Sequence, residues 1–126
     1  VLPYLTDSLE NLQALLADCV DAKVYGVLLN GFGVTLRAGA SAYFFSCLRE
    51  LSPELPEAYE ALLPPGKVGK TASFLSPNAA ALAELFGTST AACGLVTDPE
   101  ELFAFRHAFQ DRRSGQQLSL FDLYDL

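Results

Sequence analysis

Methionine, tryptophan and isoleucine are absent from the 126 residues of this sequence. Its three cysteines, Cys19, Cys47 and Cys93, form neither a CxxC pair nor a cluster with histidine, so a zinc site of the usual spacing is not expected. Such isolated thiols are typical of free cysteines in a reducing cytoplasm, which is the compartment we expect. The sequence also lacks an apolar run of the ~18 residues that a membrane-spanning helix needs, so we expect no contact with a membrane.

Positive charge is scarce, because 8 lysines and arginines stand against 15 aspartates and glutamates, for a net charge of −7. This balance argues against a dedicated nucleic-acid-binding domain, which would carry a basic face. Two stretches, 22–49 and 61–83, nevertheless contain no acidic residue. An ordinary solvated surface is one interpretation of their basic residues, and contact with a nucleic-acid backbone is the alternative. These residues are Lys23, Arg37, Arg49, Lys67 and Lys70.

Leucine and alanine dominate an apolar fraction of 51%, which excludes a disordered chain and favours a mainly α fold. The spacing of apolar residues predicts a compact bundle of about five helices within residues 1–113, followed by an extended interaction tail at 114–126. Asp7 and Glu10 resemble a capping box at the first helix. The predicted helices cover 8–22, 37–51 and 57–63, a segment that starts at Ser76-Pro77 and stops at Gly87, and a segment from 97 to about Arg113.

Residues 23–37 admit two interpretations. Val24–Leu29 and Phe32–Leu36 have the composition of strands, and Asn30-Gly31 between them favours a tight turn, so a β-hairpin near 24–36 is possible. The same residues could instead extend the first helix to Leu29, with Asn30-Gly31 as its end. We favour the helix because the surrounding segments are helical and an isolated hairpin needs a packing partner.

The sequence contains no convincing catalytic constellation. The loop Gly66–Thr71 ends like a phosphate-binding loop, but Pro64 occupies the position of the first glycine that such a loop requires. It is better interpreted as a basic surface loop. His107 is the single histidine, and no Ser or Cys lies at a spacing typical of a nucleophile and its base. We therefore expect a protein that is not an enzyme and that has no catalytic residues, cofactor or metal.

The C-terminal tail contains the most specific pattern. The residues Gln117, Leu118, Ser119, Leu120 and Phe121 follow a polar linker, 112–116. An extended tail of this kind can present alternate side chains to the pockets of a partner. The segment resembles the peptide with which bacterial replication and repair proteins bind the DNA polymerase sliding clamp, and it matches that consensus at every position. The resemblance implies that Gln117 occupies a polar subsite, that Leu118 makes a shallow contact, and that Leu120 and Phe121 enter a hydrophobic cleft.

These features predict a non-catalytic accessory domain of a bacterial DNA transaction system, which docks on the sliding clamp through its tail while its body binds another component. The tail could alternatively fold back on the domain or bind a different partner. A second hypothesis is a scaffold role, because the size and helical character of the chain resemble those of the small helical subunits of CRISPR effector complexes. The first residue is Val1 rather than methionine, which would suit an internal start, a trimmed chain or a piece of a longer protein. In this second hypothesis the five basic residues would line a path for nucleic acid.

Overall fold

The computed structural model describes residues 1–108, which form five helices and a two-stranded antiparallel sheet. The prediction of a mainly α fold is confirmed. Residues 109–113 of the predicted domain, and the tail 114–126 with its clamp-binding motif, lie outside the described residues. The elements are α1 (Leu9–Asp21), β1 (Gly33–Leu36), α2 (Ala38–Leu51), α3 (Leu55–Leu62), β2 (Ala72–Leu75), α4 (Ala79–Cys93) and α5 (Pro99–His107).

The start of α1 differs in detail from the predicted capping box. Ser8 is the N-cap, and its hydroxyl accepts a hydrogen bond from the backbone N–H of Asn11. Asp7 is buried instead, and its carboxylate accepts a hydrogen bond from the hydroxyl of Ser76. The acid expected to cap the first helix therefore connects the N-terminal segment to the residues that precede α4.

The sheet forms over a long sequence separation. β1 pairs with β2 in the register Gly33 with Leu75 and Leu36 with Ala72. The local hairpin near 24–36 is therefore wrong, and so is the favoured extension of the first helix to Leu29, because α1 ends at Asp21. Val34 and Leu36 pack against the inward residues of β2 on one face, and this burial outweighs the local turn signal. Residues 24–27 instead form a single parallel bridge, between Gly26 and Val96.

Two hydrophobic cores lie on different sides of the fold. The first lies between α2, α3 and the sheet, around the fully buried ring of Tyr59. The second lies between α1 and α4, around the fully buried Leu82 and the edge-to-face rings of Phe32 and Phe86. The buried residues of the first core are Leu36, Phe45, Leu48, Tyr59, Leu63, Ala72 and Phe74, and those of the second are Leu12, Leu16, Phe32, Leu82 and Phe86.

The predicted end of α4 at Gly87 is wrong, because the helix continues to Cys93. The added turns bury Thr90, whose hydroxyl donates to the carbonyl of Phe86, and these contacts offset the ~1 kcal/mol that a mid-helix glycine costs. Gly94 ends the helix with a left-handed φ of 68°, a conformation that glycine adopts without steric penalty.

Candidate functional site

Arg37 lies at the end of the sheet where β1 runs into α2. Leu36 is the last residue of β1 and pairs with Ala72, so the extended backbone of Arg37 lies beside Thr71. The backbone N–H of Ala38 donates to Oγ1 of Thr71 at 3.1 Å, which fixes the start of α2 against the residues that precede β2. Arg37 is thus held next to the basic loop that the sequence analysis noted.

The loop between α3 and β2 brings two lysines to the same end of the sheet. The backbone N–H of Lys67 donates to the carbonyl of Pro64 at 3.1 Å, and that of Lys70 donates to the carbonyl of Lys67 at 2.9 Å. Gly66 and Gly69 have left-handed φ values of 71° and 72°, so two successive tight turns form without strain. Lys67, Lys70 and Arg37 are all exposed. Three cations from two segments that are far apart in the sequence therefore lie near the same end of the sheet.

Hydroxyl groups continue this surface across the solvent side of the sheet. Thr35 and Ser73 lie opposite each other, with their hydroxyl oxygens 2.9 Å apart, and both are exposed, whereas Leu36, Ala72 and Phe74 beside them are buried and Val34 is partly buried. Arg37 lies two residues after Thr35, and Thr71 lies two residues before Ser73. Because side chains alternate between the two faces of a sheet, Arg37 and Thr71 continue the exposed face of Thr35 and Ser73. We use the name basic surface for this set, which comprises Arg37, Lys67, Lys70, Thr35, Thr71 and Ser73.

Lys23 and Arg49 do not belong to the basic surface. Lys23 follows α1, has a left-handed φ of 54°, and donates its backbone N–H to the carbonyl of Val20. Arg49 lies in the last turn of α2, twelve residues after Arg37, which places it ~18 Å farther along the helix axis. The five basic residues therefore do not form one group. The structure brings three of them together and leaves two apart.

A second region, around α5, is held by contacts that the sequence analysis missed. The ring of Tyr25 stacks on that of Phe105, with centroids 3.9 Å apart and planes 9° from parallel. The phenol of Tyr25 donates to a carboxylate oxygen of Glu101 at 3.1 Å, and this bond to a carboxylate raises the pKa of the phenol. α5 itself starts as predicted, with Asp98 as N-cap accepting from the backbone N–H of Glu101 at 2.9 Å.

Gly26 lets α5 approach the segment that contains Tyr25. A Cβ atom at Gly26 would lie 2.2 Å from the carbonyl oxygen of Val96 and 2.6 Å from Cδ2 of Leu102. The backbone N–H of Val27 donates to that same carbonyl at 2.8 Å, so the two segments cannot simply move apart. A glycine inside a strand-like run is the sequence signal for such a close approach.

Neither a candidate metal site nor a membrane-spanning helix occurs among residues 1–108. No three His, Cys, Asp or Glu side chains within it are grouped so that they could hold a metal. Likewise, none of its helices combines the length and the apolar character needed to cross a bilayer. His107 is exposed at the end of α5, and the free Cys93 is exposed as well.

Comparison of the chain with protein-family models, with curated proteins and with solved structures returned no match.

Proposed function

We propose that this chain is a non-catalytic accessory domain of a bacterial DNA transaction system that docks on the sliding clamp. The segment from Gln117 to Phe121 matches the clamp-binding consensus at every position, and this single observation carries the proposal. Leu120 and Phe121 are adjacent large apolar side chains that lie between the polar linker 112–116 and Asp122. Their burial in a pocket of a partner would supply most of the binding free energy, as aromatic and aliphatic anchors commonly do.

The attachment of α5 supports a tethering role for the tail. α5 is held to the body through Tyr25 and Gly26, and Ala108 is its C-cap. Eight residues, 109–116, separate this cap from the first residue of the motif. Even fully extended, such a segment spans at most ~29 Å, so a docked motif would keep the helical body close to the clamp. Tethering of this kind raises the local concentration of the body near DNA.

Binding of the full chain to a purified bacterial sliding clamp tests the proposal. We expect the double variant Leu120→Ala/Phe121→Ala to weaken binding at least ~30-fold, which corresponds to ~2 kcal/mol from the anchor side chains. The matched control is Leu123→Ala/Leu126→Ala, which removes two apolar side chains beyond the motif and should leave the affinity within about twofold. Absence of binding by the full chain, or equal weakening by both variants, would contradict the proposal.

A second candidate is a scaffold subunit of a CRISPR-type nucleoprotein complex, and the convergence of Arg37, Lys67 and Lys70 favours it. In that role the path for nucleic acid includes all five basic residues, so Lys23→Glu/Arg49→Glu should weaken binding to single-stranded RNA by at least about tenfold. An RNA affinity that this double variant leaves unchanged would count against the scaffold role.

A further inference from the structure

We propose that the basic surface binds the phosphate backbone of duplex DNA. The choice of DNA as partner rests on the proposed function, because a protein tethered to a sliding clamp is held beside duplex DNA. The surface itself is carried by a separate observation, namely that the pairing of β1 with β2 and the bond from Ala38 to Thr71 place Arg37 beside the loop that contains Lys67 and Lys70. The two proposals therefore concern different residues and can fail independently.

The charge distribution confines contact with DNA to this side of the molecule. No acidic residue occurs between 22 and 49 or between 61 and 83, the two stretches that supply the basic surface. The chain as a whole carries a net charge of −7, so its other surfaces repel phosphate groups. A local excess of positive charge on an acidic protein favours one orientation on the DNA over all others.

The donor groups on the surface are of the kinds that bind phosphate oxygens. An arginine, two lysines and the hydroxyls of Thr35 and Ser73 can all donate to phosphate oxygens. Arg37 directly follows the paired Leu36, and Lys70 directly precedes Thr71, which accepts the hydrogen bond from Ala38, so both side chains start from backbone next to fixed points of the fold. This arrangement predicts binding that is independent of DNA sequence.

Three cations imply a weak affinity with a measurable dependence on salt. Neutralising about three phosphates gives a slope of about −2.7 for the logarithm of the affinity against the logarithm of the salt concentration. The affinity should therefore fall ~40-fold between about 50 and about 200 mM salt. A weak contact is sufficient beside a clamp, because the tether supplies a high effective concentration of the body near the DNA.

The test uses the full chain and a fluorescently labelled DNA duplex of mixed sequence, with binding followed by anisotropy. We expect Arg37→Glu/Lys70→Glu to reduce the affinity at low salt by at least about tenfold. The control, Lys23→Glu/Arg49→Glu, makes the same change in net charge outside the basic surface and should change the affinity less than about twofold. No binding by the unmodified chain, or equal loss in the two variants, would overturn the proposal.

Two further variants separate folding and tethering from DNA contact. Lys67→Gln/Lys70→Gln removes charge at exposed loop positions, so it should keep the unfolding midpoint and bring the salt slope about 1.8 closer to zero. An unchanged slope in this variant would also overturn the proposal. Leu120→Ala/Phe121→Ala should lose the clamp and retain DNA binding. In the unmodified chain, DNA binding without clamp binding would contradict the proposed function and uphold the basic surface, whereas clamp binding without DNA binding would do the opposite.

Discussion

The helices α4 and α5 are attached to the molecule in different ways. α4 buries Leu82, Phe86 and Thr90, and Leu82 has no exposed surface. α5 buries no residue along its whole length and is held by the ring of Tyr25, by the contact of Leu102 with Gly26, and by the adjoining bridge. Because α4 fills a core and α5 only covers an edge, release of α5 should cost far less free energy than release of α4. The helix that leads into the tail is therefore the least firmly held.

Truncation of Leu82 should cause the largest loss of stability. Leu82→Ala leaves a cavity in the second core between α1 and α4, and we expect the free energy of unfolding to fall by ~2–5 kcal/mol. Urea unfolding followed by circular dichroism measures this change. Leu75→Ala is the control, because Leu75 is 66% exposed, and it should cost at most ~0.5 kcal/mol. A similar loss in both variants would show that the second core does not stabilise the fold.

A methyl group at Gly26 should release α5 while both cores remain folded. The clash with the carbonyl oxygen of Val96 at 2.2 Å cannot be relieved by a side-chain rotation, so we expect a cost of ~1–3 kcal/mol, concentrated on the docking of α5. Hydrogen exchange should show loss of protection in α5 with little change in α1 and α4.

Gly87→Ala is the matched control for that substitution. A Cβ atom at Gly87 meets nothing within 4 Å, and the position is inside α4. Alanine should therefore stabilise the helix by up to ~1 kcal/mol, opposite in sign to the effect at Gly26. Retained protection of α5 amides in Gly26→Ala would contradict the close approach.

The difference between local and long-range features explains what the sequence could predict. The spacing of apolar residues located α1, α2 and α3, and the N-cap pattern Asp98-Pro99 located the start of α5, because both signals are local. Asn30-Gly31 suggested a local hairpin, whereas β1 pairs with β2, which lies beyond two helices in the chain. The basic surface depends on that same pairing, so the grouping of Arg37 with Lys67 and Lys70 could not be derived from charge patterns alone. The position of Gly26 in a strand-like run indicates a close backbone approach, but its partner Val96 lies seventy residues away in the sequence and could not be identified from that signal.

The phenol of Tyr59 should make the first core sensitive to alkaline pH. Burial, together with the negative charge of Asp7, raises the pKa of Tyr59 to about 12, above the ordinary value of about 10. A raised pKa in the folded state means that the unfolded chain loses its proton first. The stabilisation from the neutral phenol is therefore complete below about pH 10 and is lost as the pH rises through 12.

Tyr59→Phe tests this assignment. At neutral pH the variant should lose ~1 kcal/mol, because the hydroxyl of Tyr59 no longer donates to the carbonyl of Pro3. Urea unfolding at a series of pH values should show a smaller loss of stability above pH 10 in the variant than in the unmodified chain. Identical pH profiles for the two proteins would show that another group governs alkaline unfolding.

The smallest effect should come from Tyr25→Phe, which separates the two interactions that this side chain makes with α5. The substitution removes the hydrogen bond to Glu101 but keeps the ring stacked on Phe105. Because the hydrogen bond is exposed and water can replace Glu101, the unfolding midpoint should hardly change and α5 should stay protected from exchange. Tyr25→Ala removes the stack as well and should speed exchange in α5 measurably, though less than Gly26→Ala, since the backbone hydrogen bonds of Val96 with Tyr25 and Val27 remain. If Tyr25→Phe released α5 as fully as Gly26→Ala does, the hydrogen bond rather than the close backbone approach would hold α5 to the body.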